Sequence, residues 1–179
     1  MVKKSTKKDA FTEDSLVESM RNDDAIRLLD SLGLGKEPSE APKKDAFILK
    51  VMVIEDDESA RDLYQTYLTS KRCMTVPCEN GHEAITAVTE HPDTDVVLLD
   101  IKIPPPDGVA LLTTFRKQNF LKDATIIVIS GHLTPDTVKA CVEMKVHKIL
   151  TKPVDLDGVF ELIKATTDYE KIGKDKKLL

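Results

Sequence analysis

The sequence predicts an α/β fold built on a parallel sheet, for two main reasons. From Phe47 onward, five short runs rich in aliphatic residues alternate with five longer stretches of helical character. The short runs are apolar almost throughout, which is typical of strands that are covered on both faces. A repeated strand–helix succession produces a parallel sheet with right-handed crossovers. Hydrophobic residues make up 41% of the chain but aromatic residues only 4%, so we expect a core that is mostly aliphatic.

The elements follow one another regularly. The predicted strands are ILKVMVI (48–54), MTVPC (74–78), DVVLLD (95–100), TIIVIS (125–130) and KILT (148–151). The prolines of IPPPDG end the third strand, because proline cannot continue a central strand, and Asp107 can cap the helix that follows. The predicted helices are ESARDLYQTYLTSK (58–71), GHEAITAVTEH (81–91), DGVALLTTFRKQ (107–118), TPDTVKACVEMK (134–145) and DLDGVFELIKATTDY (155–169).

Residues 1–45 differ in character and form a predicted N-terminal extension. GKEPSEAPKKD (35–45) has the composition of a linker. Before it, residues 12–33 have helical features: Thr12 can cap a helix and Gly33 can end one. The apolar stripe is broken near residues 22–24, so we expect one or two short amphipathic helices that cannot form a core alone.

Composition excludes several classes of protein. The net charge of −5 argues against nucleic acid as a main partner. The three cysteines, Cys73, Cys78 and Cys141, have no C-x-x-C spacing, which favours a reduced, cytoplasmic protein. No stretch approaches the roughly 18 apolar residues of a membrane span, and the lysine-rich N-terminus lacks the apolar region of a secretory signal.

Polar residues follow four of the predicted strands. Glu55-Asp56-Asp57 follows the first, Asp100 ends the third, Ser130-Gly131 ends the fourth, and Thr151-Lys152-Pro153 ends the fifth. Chemistry in an open parallel sheet lies outside the carboxyl ends of its strands. If the first and third strands are neighbours, several carboxylates converge there, and their mutual repulsion calls for a cation such as Mg²⁺. With a lysine and a hydroxyl beside it, Asp100 becomes a candidate nucleophile for phosphoryl transfer.

Each feature has an ordinary structural interpretation when taken alone. An aspartate at a strand end is more often a cap or turn former, and an acidic run before a helix is usually a capping cluster. The four features together, on four strand ends, favour a functional site.

These motifs resemble the receiver domain of two-component response regulators. The matching segments are VMVIEDDESAR, CENGHEA, VVLLDIKIPPPDG, IIVISG and ILTKPV, and their separations also fit that family. The resemblance covers about residues 47–170. It implies a flavodoxin-like three-layer sandwich with strand order 2-1-3-4-5.

The resemblance also implies roles for individual residues. Asp100 would accept a phosphoryl group from a histidine kinase or a phosphotransfer protein. Mg²⁺ would be held by Glu55, Asp56, Asp100 and the backbone carbonyl of Lys102. Ser130 would hydrogen-bond the phosphoryl group and Lys152 would pair with it. Asp57 resembles a helix-start acid rather than a ligand, and Lys152–Pro153 resembles the family's cis peptide.

The sequence departs from the family pattern at one position of interest. Many receivers carry Tyr or Phe three residues before the lysine, and that ring swings inward on activation. This chain has Ile149 there, which has no ring to couple to the movement of Ser130. Lys102 and His132 flank the acceptor and either tune dephosphorylation or are simply exposed loop residues.

The expected domains are an N-terminal extension (1–45), a receiver (46–170) and a charged C-terminal tail (171–179). The segment after the last predicted helix is too short for a DNA-binding domain, so we expect a chemotaxis-like, single-domain regulator. It would act through protein contacts of the fourth helix, fifth strand and fifth helix. The extension would dock on a partner, pack on the receiver, or remain without fixed structure; its leucines are Leu28, Leu29 and Leu32.

Other function classes fit the sequence less well. A haloacid-dehalogenase-type phosphatase also uses a phospho-aspartate and Mg²⁺, but it needs D-x-D after the first strand, where this chain has Glu55-Asp56-Asp57. No G-x-G-x-x-G indicates a dinucleotide enzyme. A pseudo-receiver that is never phosphorylated remains an alternative, which Ile149 favours and the complete acid–Asp–Ser–Lys set opposes. We therefore expect a signalling receiver and not an enzyme.

Overall fold

The computed structural model describes residues 47–178. The predicted N-terminal extension and its helices lie outside the described residues. The described chain has five strands and six helices, which alternate up to the last strand and end in two consecutive helices. They are β1 (Leu49–Ile54), α1 (Glu58–Ser70), β2 (Cys73–Cys78), α2 (Gly81–Glu90), β3 (Val96–Leu99), α3 (Gly108–Lys117), β4 (Thr125–Ser130), α4 (Pro135–Glu143), β5 (Lys148–Thr151), α5 (Leu156–Thr166) and α6 (Tyr169–Asp175).

All five strands are parallel and lie in the order β2-β1-β3-β4-β5, which confirms the predicted topology. In the register of the central strands, Ile54 of β1 lies beside Leu99 of β3, and Leu99 lies beside Val128 of β4. The strands β1, β3 and β4 are buried along their whole length. Their continuous apolar sequence therefore reflects cover on both faces of the sheet.

Two apolar clusters cover the two faces and give the fold three layers. Alternate strand residues point to opposite faces, so Val97 and Leu99 enter one cluster while Val96 and Leu98 enter the other. The first cluster includes residues of α2, α3 and α4, with Phe115 fully buried. The second includes residues of α1, α5 and α6. This arrangement confirms the flavodoxin-like sandwich.

The helices α1 to α5 each begin at a side chain that accepts a backbone N–H. The capping residues are Asp57, Asn80, Asp107, Thr134 and Asp155. Such caps satisfy amide groups that have no partner inside the helix. The predicted cap at Asp107 is confirmed, because its carboxylate accepts from the Ala110 amide at 2.8 Å.

Helix α6 is the one element of the described chain that the sequence analysis did not predict. Its first residue, Tyr169, is buried against Phe160 of α5 with 5.3 Å between ring centroids. The helix therefore continues past the predicted end of the receiver at residue 170. The other predicted elements differ from the observed ones by three residues or fewer at each end. Within residues 47–178, no helix is long and apolar enough to cross a membrane.

Candidate functional site

Residues from four strand ends meet at the carboxyl edge of the sheet. Because β1, β3, β4 and β5 are consecutive in the sheet, the segments that follow them lie side by side. Glu55 and Asp56 follow β1, Asp100 follows β3, Ser130 ends β4, and Lys152 follows β5. The structure thus brings together the side chains that the sequence analysis placed in one site.

The Asp100 carboxylate is held by three donors. Its Oδ1 accepts hydrogen bonds from Ser130 Oγ at 2.8 Å and from the Lys102 amide at 2.9 Å. Its Oδ2 accepts from Lys152 Nζ at 2.6 Å. The Asp100 amide donates to the Ile54 carbonyl at 2.9 Å, which extends the β1–β3 pairing as far as the site. Both side-chain oxygens are therefore fixed in place.

Lys152 bridges two buried carboxylates. Its Nζ lies 2.6 Å from Glu55 Oε2 and 2.6 Å from Asp100 Oδ2. Burial would lower the pKa of Lys152, but the hydrogen bonds to Asp100 and Glu55 outweigh burial and raise that pKa above its usual value. The lysine therefore stays charged across the physiological range of pH.

The two carboxyl groups respond differently to the same lysine. Burial is the largest influence on both, and it keeps the pKa of Glu55 above its usual value despite the bond from Lys152. At Asp100 the bonds from Lys152, the Lys102 amide and Ser130 together outweigh burial and lower the pKa. Asp100 has more donors than Glu55, so Asp100 is the group held most firmly in its ionised form.

Three carboxylates form a cluster that fits a divalent cation. One oxygen each from Glu55, Asp56 and Asp100 lies within 4.8 Å of the others. Glu55 and Asp100 are buried and Asp56 is exposed, so the cluster opens toward solvent on the Asp56 side. Lys152 supplies one positive charge against three negative ones. Hard oxygen donors with excess negative charge suit Mg²⁺, which also retains waters.

The neighbouring acid, Asp57, has another role. Its Oδ1 accepts from the Ala60 amide at 2.7 Å, and so it caps α1. This contact confirms the prediction that Asp57 starts the helix.

The loop after Asp100 is packed closely against the backbone of the acceptor. The Gly108 amide donates to the Ile101 carbonyl at 3.0 Å. A Cβ atom on Gly108 would lie 2.6 Å from Ile101 Cα and 2.8 Å from the Asp100 carbonyl oxygen, closer than real Cβ contacts come. Residues 101–108 therefore fold back onto the acceptor. Lys152–Pro153 is a cis peptide, as predicted, and so is Pro105–Pro106, which was not predicted.

The residues at the rim of the site are exposed or half-buried. Lys102 and His132 are exposed, while Ile149 is partly buried against the first apolar cluster. Two contributions to the site were not predicted from the sequence. One is the Lys102 amide, which donates to Asp100 Oδ1, whereas the predicted contribution of this residue is its carbonyl. The other is Arg61, whose guanidinium contacts the backbone of Glu55 and Asp56.

Comparison with known proteins shows the family of this chain. The family model of the response regulator receiver domain matches residues 51–164. The probable C4-dicarboxylate response regulator DctR of Bacillus subtilis (strain 168) is 27% identical over 124 residues, which are 68% of this chain and 54% of that protein. The two-component response regulator-like PRR37 of Oryza sativa subsp. indica is 28% identical over 109 residues, 59% of this chain and 14% of that protein. The matched region thus spans 54% or less of these relatives.

Solved receiver structures share the fold. A response regulator receiver protein from Pseudomonas putida has a TM-score of 0.62 at 26% identity and covers 65% of this chain and 96% of its own. The chemotaxis protein CheY4 of Vibrio cholerae has a TM-score of 0.61 at 18% identity, with 66% and 98% covered, and shows likeness of fold alone. The chain belongs to the response regulator receiver family of two-component signalling.

Proposed function

We propose that Asp100 is the phospho-acceptor of this receiver. The observation that carries the proposal is the fixed Asp100 carboxylate, held by Ser130 and Lys152 beside two further acids. In the transfer, an Asp100 oxygen forms a bond to phosphorus while the bond from phosphorus to the donor's histidine nitrogen breaks. The leaving imidazole keeps the electron pair of the broken bond.

The donor set supports Mg²⁺ as the cofactor, since receiver domains bind this ion in an acidic site. The side chains of Glu55, Asp56 and Asp100 and the Lys102 carbonyl would hold it. When bound, the ion neutralises charge on the transferred phosphoryl oxygens. Ser130 and Lys152 already contact Asp100, and after transfer they would donate to the phosphoryl oxygens instead.

The partners would be a histidine kinase or a phosphotransfer protein and a downstream protein target, because receivers in general work with such proteins. Helix α4 supports protein contact as the output: Val138 is 38% exposed and Val142 is 67% exposed. These valines lie on the face expected to change its contacts after phosphorylation. We further propose that residues 46–170 act as this module and residues 1–45 as an extension to it.

A pseudo-receiver is the second candidate, and Ile149 is the observation that favours it. An isoleucine has no ring to swing inward and its χ1 is stiff. The complete donor set around Asp100 favours phosphorylation instead.

The first experiment is to measure intact mass after incubation with acetyl phosphate and Mg²⁺, and then with a phosphorylated histidine donor. We expect a gain of one phosphoryl group. That gain should disappear in Asp100→Asn and in wild-type protein with EDTA.

Asp107→Asn is the matched control, because this aspartate lies in the same loop and asparagine also caps helices well. It should gain the phosphoryl group as the wild type does. If the folded wild-type protein gains no mass from either donor, the pseudo-receiver is the better description.

A further inference from the structure

We propose that Arg61 is a positioning residue that holds the metal-binding acids in place. Its Nη1 donates to the Glu55 carbonyl at 2.8 Å and lies 3.3 Å from the Asp56 carbonyl. A single guanidinium therefore contacts the backbone of both residues whose side chains belong to the acidic cluster. This inference rests on the proposed function and goes further, because it assigns a role to a residue outside the ligand set.

Arg61 holds a part of the acidic segment that the strand pairing does not reach. The Glu55 amide donates to the Cys78 carbonyl at 3.0 Å, and the Ile54 carbonyl accepts from the Asp100 amide at 2.9 Å. The strand pairing thus fixes the segment up to the Glu55 amide. Beyond that point, the carbonyls of Glu55 and Asp56 accept hydrogen bonds from Arg61 Nη1. Arg61 is the side chain that binds them.

The position of Arg61 in its helix indicates that its contacts with the backbone offset an unfavourable placement of charge. Arg61 lies in the fourth position of α1, near the helix N-terminus. Positive charge is disfavoured there, because the helix dipole places partial positive charge at that end. Within residues 47–178, Glu55 and Asp100 form their ion pairs with Lys152, and Arg61 forms none with Glu55, Asp56 or Asp100. Its hydrogen bonds go to main-chain oxygens, so it holds the acidic segment through the backbone and not through an ion pair with a carboxylate.

A purely electrostatic role and a positioning role of Arg61 predict opposite changes in Mg²⁺ affinity when its side chain is removed. If Arg61 acted only through its charge, removing it would make the site more negative and tighten Mg²⁺ binding. If Arg61 positions the acids, removing it frees the Glu55–Asp56 backbone and weakens binding. Partners that orient metal ligands typically change affinity by about 10- to 100-fold. The two roles thus predict opposite changes.

The test compares Mg²⁺ affinity, by chemical-shift titration of backbone amides, in wild type, Arg61→Met and Arg61→Lys. We expect Arg61→Met to bind Mg²⁺ roughly tenfold more weakly than wild type. Arg61→Lys should recover part of the loss, because an ammonium can also donate hydrogen bonds to carbonyl oxygens but lacks the planar geometry of the guanidinium.

Arg116→Met is the matched control. Arg116 makes the same kind of contact, from Nε to the Met144 carbonyl at 2.7 Å and from Nη2 to the Lys145 carbonyl at 3.1 Å. The segment that Arg116 binds follows α4 and precedes the amino end of β5, away from the acidic cluster at the carboxyl ends of the strands. Mg²⁺ affinity should therefore not change in this variant. Urea unfolding of each variant separates any loss of stability from loss of affinity.

Two outcomes would overturn the positioning role. One is an Arg61→Met variant that binds Mg²⁺ as tightly as wild type or more tightly. The other is an equal loss of affinity in Arg116→Met. Failure of the proposed function is measured separately, on wild-type protein alone, as absence of phosphorylation at Asp100.

Discussion

Asp56 and Asp57 are adjacent in sequence but have separate tasks. The Asp56 carboxylate belongs to the acidic cluster, whereas the Asp57 carboxylate caps α1. We expect Asp57→Ala to lower the free energy of unfolding by about 1 kcal/mol, the usual cost of a lost cap. Asp56→Ala should leave stability in EDTA unchanged or raised, because it relieves repulsion among the acids.

Mg²⁺ affinity should show the reverse pattern: strongly weakened in Asp56→Ala and little changed in Asp57→Ala. Urea unfolding in EDTA and titration with Mg²⁺ measure the two properties on the same samples. Equal loss of affinity in both variants would contradict the assignment of Asp57 as a cap only.

The buried cysteines give a prediction about pH. Burial raises the pKa of Cys73 and of Cys78 to about 12, from an ordinary value of 9.0. At pH 8 the folded thiols should therefore react with iodoacetamide far more slowly than the thiols of protein unfolded in urea, because the thiolate is the nucleophile. The unfolded state ionises first as pH rises, so these thiols should lower the free energy of unfolding above about pH 9. Native protein that is labelled as fast as unfolded protein would contradict this.

At the scale of elements, the β3–α3 connection determines where the acceptor lies. Gly108, the first residue of α3, contacts the backbone of Ile101 and Asp100 without room for a Cβ atom. We expect Gly108→Ala to lower the free energy of unfolding by about 1–3 kcal/mol, as overpacking does, and to slow phosphorylation by displacing Asp100. Urea unfolding and the mass assay measure these effects.

Gly131→Ala is the control for this substitution. Its added Cβ would meet only Lys152 Cβ, at 3.9 Å, which is an ordinary contact. It should therefore leave stability nearly unchanged, although Gly131 follows Ser130 at the site. If Gly108→Ala is as stable as Gly131→Ala, the close packing does not constrain the loop.

At the scale of the whole molecule, the sequence predicted the structure correctly where a hydrophobic pattern is compatible with only one kind of element. Continuous apolar runs such as TIIVIS correspond to strands buried on both faces, and the prediction for β4 matches the observed bounds. The strand order came from the family resemblance and not from the residues alone. The contacts of Arg61 and of the Lys102 amide were beyond prediction, because they depend on which way a side chain or a peptide group turns.

Helix α6 escaped prediction because its segment is short and rich in lysine. Only a few of its residues, such as Tyr169, Ile172 and Gly173, face the core, too few for a periodic pattern. Its contacts nevertheless join distant parts of the chain. Tyr169 Oη donates to the Lys71 carbonyl after α1 at 2.9 Å, and Lys176 Nζ donates to the Phe47 carbonyl before β1 at 2.8 Å.

These contacts indicate that α6 closes the second apolar cluster near the amino ends of the strands, whereas Asp100 lies at their carboxyl ends. We expect Tyr169→Phe to cost about 1 kcal/mol for its lost hydrogen bond, and Tyr169→Ala about 3–5 kcal/mol, the range for a buried aromatic residue. Both folded variants should still be phosphorylated at Asp100, since the acceptor lies at the carboxyl ends of the strands. Urea unfolding and the mass assay test this pair of statements together. A Tyr169→Ala variant as stable as wild type would show that α6 does not contribute to the core. A stable variant that cannot be phosphorylated would show that the amino and carboxyl ends of the sheet are coupled.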